Sequence, residues 1–447
     1  MEHREPPGYT TAELEVLAQK GVHIPSPHQV YIARDVPLEA IAPGVALHPF
    51  TRLGGAGTRI DAGAVIGAAG AATLNDCWIG KEAVVGALGP VTLNGVAAGP
   101  GTVLGCGVAE QAVFLGKEAG DPDFSTGFGF RVRKGSLYEE DANSAQHTDT
   151  KMTILFPWVT LGSNINWCDI LVAGGSGPEA GRFSEIGSGA IHFNFTPRGD
   201  KATGSLLGNV VDGVFLNEER LFIGGHASLV GPLNANFGAI TGAGGRFHRN
   251  LRQGLNLAAP PSQEAESVSF DLEIYGSIYR IYTHQIEVVG QLCALDAWYG
   301  QVRGRLAAND PDQSGLYARG REIVRINVSE RIAQLGALAG RMERSLALLR
   351  QEGDDDARIG QHRALLEHWP SIEAHLLTAW GRAVEAPAAL LSALDDNAAQ
   401  AGGRYTRAIQ ALPPAAAEEG REWLRGIVAD VASEHILTLI PPLRRNF

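Results

Sequence analysis

The sequence predicts a parallel β-helix followed by an α-helical bundle, and three observations support this. Between Ile79 and Leu115 every sixth residue is small or aliphatic: Ile79, Val85, Val91, Ala97, Val103, Ala109 and Leu115. Ile79, Val85 and Leu115 are each followed directly by glycine. Of the 56 glycines, only 15 lie beyond residue 262, where Ala, Leu, Arg and Glu take over. A six-residue period fits neither an α-helix, with apolar residues every three or four positions, nor a strand alternating every two. It suits a chain wound as a three-sided prism, one short strand per side, each coil burying its inward residues against the next.

The elements follow in order. Residues 1–34 read as a helical lead-in, in which Thr10-Thr11-Ala12-Glu13 can form a capping box with Leu14 and Leu17 on one face. Residues 35–250 form the coil domain. Ile66 precedes Ile79 by thirteen residues rather than twelve, which places an inserted residue at a corner. From 117 to 151 the period fails. Gly120-Asp121-Pro122-Asp123 and Glu139-Glu140-Asp141-Ala142-Asn143 are acidic and turn-rich, so this stretch reads as a long excursion from the coil. The β pattern resumes at Ile154. Composition changes near Pro260-Pro261, and residues 265–447 read as the helical domain. Apolar spacing predicts helices over 268–306, 323–349, 357–394 and 415–439, the third broken or kinked at Pro370 and Pro387. Tyr275, Tyr279 and Tyr282 read as bundle core. The bundle either caps the open end of the stack, where strand edges would lie unpaired, or binds a partner.

Bulk properties narrow the function. A chain of 447 residues exceeds one ordinary core. A net charge of −12 argues against a nucleic-acid-binding face, which needs a dense basic surface. The four cysteines are dispersed without metal-ligand spacing, so no metal site is expected. The opening Met1-Glu2-His3-Arg4-Glu5-Pro6-Pro7 has no apolar run. The expectation is therefore a cytoplasmic protein without membrane attachment.

The densest polar cluster is Gly187-Ser188-Gly189-Ala190-Ile191-His192-Phe193-Asn194-Phe195-Thr196-Pro197-Arg198-Gly199-Asp200-Lys201-Ala202-Thr203-Gly204-Ser205. Its order of Ile186-Gly187-Ser188-Gly189, Asn194-Phe195, Lys201, Thr203 and Leu207-Gly208 resembles the acetyltransferase domain of the bifunctional N-acetylglucosamine-1-phosphate uridyltransferases, a left-handed β-helix of hexapeptide repeats. The run Phe222-Ile223-Gly224-Gly225-His226-Ala227 is similar to the next coil of that family. The likeness covers about 154–245, is weaker over 35–116, and is absent from the helical half. It implies a left-handed winding and a homotrimer with grooves between prisms. It also implies acetyl or acyl transfer from acetyl-CoA, or another acyl-CoA, to an amino sugar phosphate or sugar nucleotide.

By residue-wise carry-over, Asn194 and Lys201 would contact the sugar phosphate or the cofactor, lysine serving as a flexible point charge for phosphate. Arg198, Thr203 and His226 complete the expected substrate-binding set. Acyl transfer needs a base for the amine. The family's histidine lies about one coil before the Asn-aromatic pair, where this chain reads Cys168-Asp169-Ile170-Leu171-Val172-Ala173. His192 is the expected base instead, with His226 and His147 as the other candidates.

Two alternatives stand beside acyl transfer. One is a non-catalytic β-helix that binds a sugar nucleotide or scaffolds a protein, with a partner-binding helical domain. The other is uridylyl transfer, for which Gly54-Gly55-Ala56-Gly57-Thr58-Arg59 is the only phosphate-loop-like run. It lies within the coil pattern, without a helix to follow it.

Overall fold

Inward aliphatic residues stacked coil upon coil build the first half of the molecule, seen in a computed structural model that describes residues 8–118, 124–258, 270–352 and 356–443. The Gly120–Asp123 turn, the Pro260-Pro261 boundary and the opening heptapeptide lie outside the described residues. The chain forms a parallel β-solenoid of about 12 turns over residues 31–256, followed by a helical region over 279–438.

Strands alternate side chains in and out, and three parallel ladders form three flanks. The first flank aligns Thr51–Gly54, Ala72–Asn75 and Val91–Asn94. The second aligns Arg59–Ile60, Trp78–Ile79, Ala97–Ala98 and Ala112–Phe114. The third aligns Ala46–Leu47, Val65–Ile66 and Val84–Val85. Leu53, Leu74 and Leu93, then Ile60, Ile79 and Ala98, then Leu47, Ile66 and Val85 point inward and are buried.

Along the second and third flanks the early coils are nineteen residues long, not the eighteen that three sixes make. Asn75 and Asn94 stand one above the other, joined by an amide hydrogen bond of 3.3 Å. Ala98 rather than Ala97 therefore sits over Ile79, and Leu104 rather than Val103 over Val85. The extra residue inferred between Ile66 and Ile79 recurs at a corner of each early coil. Corner residues such as Asp76, Glu82, Gln111 and His147 accordingly adopt positive φ.

The expected excursion at 117–151 is not one. Thr126–Val132, Ser136–Tyr138, Asn143–Ser144 and Asp149–Leu155 continue the three ladders. Larger inward residues, Phe130 and Tyr138 among them, replace small aliphatics there and hide the pattern. The longest departures from the coil are instead 173–184, 194–204 and 208–221. The last of these holds the short helix α2 (Val210–Gly213).

At the start, α1 (Thr11–Gln19) has the expected capping box, and Leu14 and Leu17 join the solenoid core. The helical region comprises α3 (Tyr279–Trp298), α4 (Gly304–Leu306), α5 (Pro311–Glu352), α6 (Asp356–Gly381), α7 (Ala388–Ala401), α8 (Tyr405–Gln410), α9 (Pro414–Val431) and α10 (Glu434–Thr438). Pro387 precedes α7 as expected, and α6 continues through Pro370 without a break. Trp369 packs against Gly336 of α5, and this tertiary contact overrides the local preference to break.

The helices do not cap the open end. They lie along the second flank, from the Arg59–Asp312 ion pair at 2.6 Å to the Arg280 bond with the His248 carbonyl at 2.6 Å. The central tie is a buried cluster. A π-helical turn, Tyr299–Arg303, turns both of its end side chains toward the solenoid. Arg303 forms a bidentate pair with Glu140, at 2.6 and 3.0 Å, and meets Glu139 at 2.9 Å. Tyr299, Tyr317 and Tyr405 pack around the guanidinium, the last ring centre 3.6 Å away. Tyr299 donates to Glu139 and Tyr317 to Glu140. Burial, followed by repulsion between the two carboxylates, pushes Glu139 above its ordinary range in spite of Arg303.

Next to this cluster, Glu118 accepts hydrogen bonds from Tyr405 N and from Thr406 N and Oγ1 at the start of α8. Burial, then the Glu140 charge, raises its carboxyl to about 7.

Two outcomes are expected. Arg303→Met strands two buried carboxylates and should lower unfolding stability by about 3–5 kcal/mol in urea titration. An unchanged midpoint would deny the cluster its docking role. An acid raised above its unfolded value stabilises the fold below that value, and the contribution is lost as pH rises through the folded value. Melting temperature should therefore fall between about pH 4.5 and about 7. In Glu118→Gln, which keeps one acceptor for α8, part of that slope should disappear.

Candidate functional site

The 186–208 segment crosses all three flanks. Ile186 ends a third-flank strand, Ile191–Phe193 runs on the first flank, and Ser205–Leu207 runs on the second. Gly187 permits the passage, since a Cβ there would lie 2.5 Å from Gly225 N.

Strand alternation decides the fate of the histidine. Ile191 and Phe193 face outward, so His192 points into the prism, in register with Leu229 and through it with Phe247. It is 3% exposed. Its Nδ1–H donates to the Cys168 carbonyl at 2.6 Å, and its Nε2 accepts from Ser205 Oγ at 2.8 Å. Burial is the main cause of a pKa pushed down to about 4, so the ring is neutral at pH 7. The Ser205–His192 spacing is that of a nucleophile and its base. The cavity that reaches Ser205 has a volume of about 20 Å³, room for a water and no acyl group. His192, the expected base, therefore lies in the core and not at the surface.

The other expected residues are brought together, but against the helices. Asn194 donates from Nδ2 to the Asp169 carboxylate, which also receives Arg331 of α5. Thr203 Oγ1 donates to the Asn194 carbonyl at 2.5 Å, and Arg331 donates to the Lys201 carbonyl at 3.1 Å. The Lys201 ammonium is close enough to Asp169 to favour its charge, yet burial still leaves that carboxyl above its usual range. Arg198 donates to the Ile274 carbonyl at 2.5 and 3.0 Å and stacks on Phe270 and Tyr275. Arg341 in turn donates to the Arg198 carbonyl at 2.8 Å and to Tyr275 Oη at 2.9 Å.

The 194–204 loop is therefore a clamp for the helical region. His226 stands apart, exposed at a corner beside Gly189, and His147 is exposed three coils away on the same corner column. The Gly54–Arg59 run is no phosphate loop. Gly55 N donates to Asp35 at 3.2 Å and Gly57 N to Asp76 at 3.0 Å.

Sequence reasoning missed Asp169 as the hub, together with Arg331, Arg341 and Tyr275. Asn164 and Asp169 both stand at coil corners with positive φ, and Trp167 between them is fully buried. Among the described residues, no group of acidic, histidine or cysteine side chains has the arrangement to hold a metal ion. No described helix is long and apolar enough to cross a membrane. No family model matches the chain, and no curated protein matches it either.

Breaking one side of a buried pair costs more than removing both. Arg331→Met should lose about 3–5 kcal/mol, and adding Asp169→Asn should restore part of it. A double-mutant cycle by chemical denaturation reads this coupling. Simple additivity would mean that the clamp is not centred on this pair.

Proposed function

We propose that the chain is a non-catalytic β-solenoid that binds a sugar phosphate or sugar nucleotide, its helical region forming one side of the binding surface. One observation carries this reading. Of the expected site residues at 186–208, Asn194 bonds the Asp169 carboxylate that holds Arg331 of α5, Arg198 bonds the Ile274 carbonyl, and His192 is a neutral core residue. A buried, doubly hydrogen-bonded imidazole has no path to an amine, and general-base catalysis needs hydrogen-bond reach of the proton it removes.

Acyl transfer from acetyl-CoA is the second reading. The exposure of His226 and His147 on one corner column favours it, because either imidazole can meet a substrate held against that edge. A homotrimer of the kind that the resemblance implies would bring a neighbouring prism to such an edge.

Incubation with acetyl-CoA and amino sugar phosphates, monitored by free thiol release, separates the two. The expected result is no turnover, together with a rise in melting temperature on adding sugar phosphates. Ligand at a hundred times its Kd raises stability by about 2.7 kcal/mol. Turnover that survives in His192→Phe but vanishes in His226→Ala would establish the second reading and end the first.

A further inference from the structure

We propose that the cleft between the second flank and the helical region binds the phosphate group of a small phosphorylated metabolite, with Lys117 and Arg404 as its anion-binding pair. This locates and deepens the ligand-binding reading above, on which it rests.

The cleft has a volume of about 300 Å³, at the lower end of the range for small-molecule sites. Successive coils make its floor, with Trp78, Gly99 and Leu115. The first turns of α5 make its roof, with Leu316 and Tyr317. The floor depends on glycine. A Cβ on Gly99 would lie 2.3 Å from the Leu115 carbonyl and 2.7 Å from Leu316 Cδ2.

The turn between α7 and α8 closes one side. Gly402 and Gly403 hold φ of +61° and +79° with open space around each, so conformation rather than crowding calls for glycine there. That paired left-handed turn delivers Arg404 to the cleft.

The charge inventory selects the ligand. Five carboxylates line the cleft, and each is already engaged. Asp61 holds Arg59 and Trp78 Nε1, and Asp312 holds Arg59 and Lys81. Asp310 caps the start of α5, Glu118 caps α8, and Glu140 holds Arg303. Of the three cations, Lys81 shares Asp312 at 3.4 Å. Lys117 and Arg404 have no ion pair or side-chain hydrogen bond among the described residues. Both are half-buried and line one cavity, Lys117 from the solenoid and Arg404 from the α7–α8 turn.

Two partly desolvated cations without an ion-pair partner favour an anion, and a guanidinium with an ammonium suits phosphate oxygens. The Trp78 and Leu316 surfaces beside them offer an apolar platform for the carbon skeleton. The enclosed size favours a sugar phosphate over an intact sugar nucleotide.

Isothermal titration of the full chain with glucose 1-phosphate, inorganic phosphate and free glucose tests this. Binding of glucose 1-phosphate is expected, with weaker binding of phosphate and none of glucose. Lys117→Gln and Arg404→Gln should each weaken it about tenfold or more, the scale of one charge-assisted hydrogen bond. Arg131→Gln, an exposed cation on the first flank, should leave it unchanged. Circular dichroism confirms that each variant is folded.

Wild-type binding that both cleft variants retain would overturn this site while leaving the ligand-binding reading in place. Silence of the wild type with every phosphorylated probe would overturn both.

Discussion

One buried guanidinium holds the two halves of this molecule in a fixed relation. Arg303 is enclosed by three tyrosines and two carboxylates, and those carboxylates belong to a solenoid corner while the tyrosines belong to the helices. A charge so placed tolerates little displacement, because each hydrogen bond lost leaves a desolvated charge behind. It therefore sets where the helical region sits along the second flank. The Asp169–Arg331 pair, the Arg198 stack and the Arg59–Asp312 pair add ties on either side. The helices are bolted to a flank by arginines rather than capping an end by apolar contact alone.

That arrangement changes what the polar loop at 194–204 is for. Donors and acceptors gathered between two coils resemble a substrate site when only the local sequence is seen. In the folded chain they meet Asp169, Arg331, Tyr275 and Arg341, and the group as a whole joins solenoid to helix. The joint is not closed everywhere. Near the α5 start and the α7–α8 turn, the two surfaces diverge and leave a cleft lined by Lys117 and Arg404.

Much of the fold was legible. The aliphatic repeat and the glycine distribution correctly imply stacked coils followed by helices, and Thr10 with Glu13 correctly implies a capped first helix. The coil length was harder to read, because corner residues at positive φ add one position that a count of aliphatic residues does not register. Residues 126–155 were illegible as coils because Phe130, Tyr138 and their neighbours fill the core at spacings unlike the aliphatic repeat. Pro370 does not end α6, because contact with α5 outweighs the hydrogen bond that proline removes. Less of the site was legible. The residues of the 186–208 stretch were picked out, but their helical partners Tyr275, Arg331 and Arg341 lie 75 to 143 positions away.

By itself, the sequence determined the solenoid, its inward residues and the change to helix, since each depends on short-range periodicity and on the conformational freedom of glycine. Only the tertiary structure decided which way His192 faces, what Asp169 and Arg331 hold, and that Lys117 and Arg404 line one cavity. Those outcomes follow from strand parity and from contacts between distant segments, and local composition contains neither.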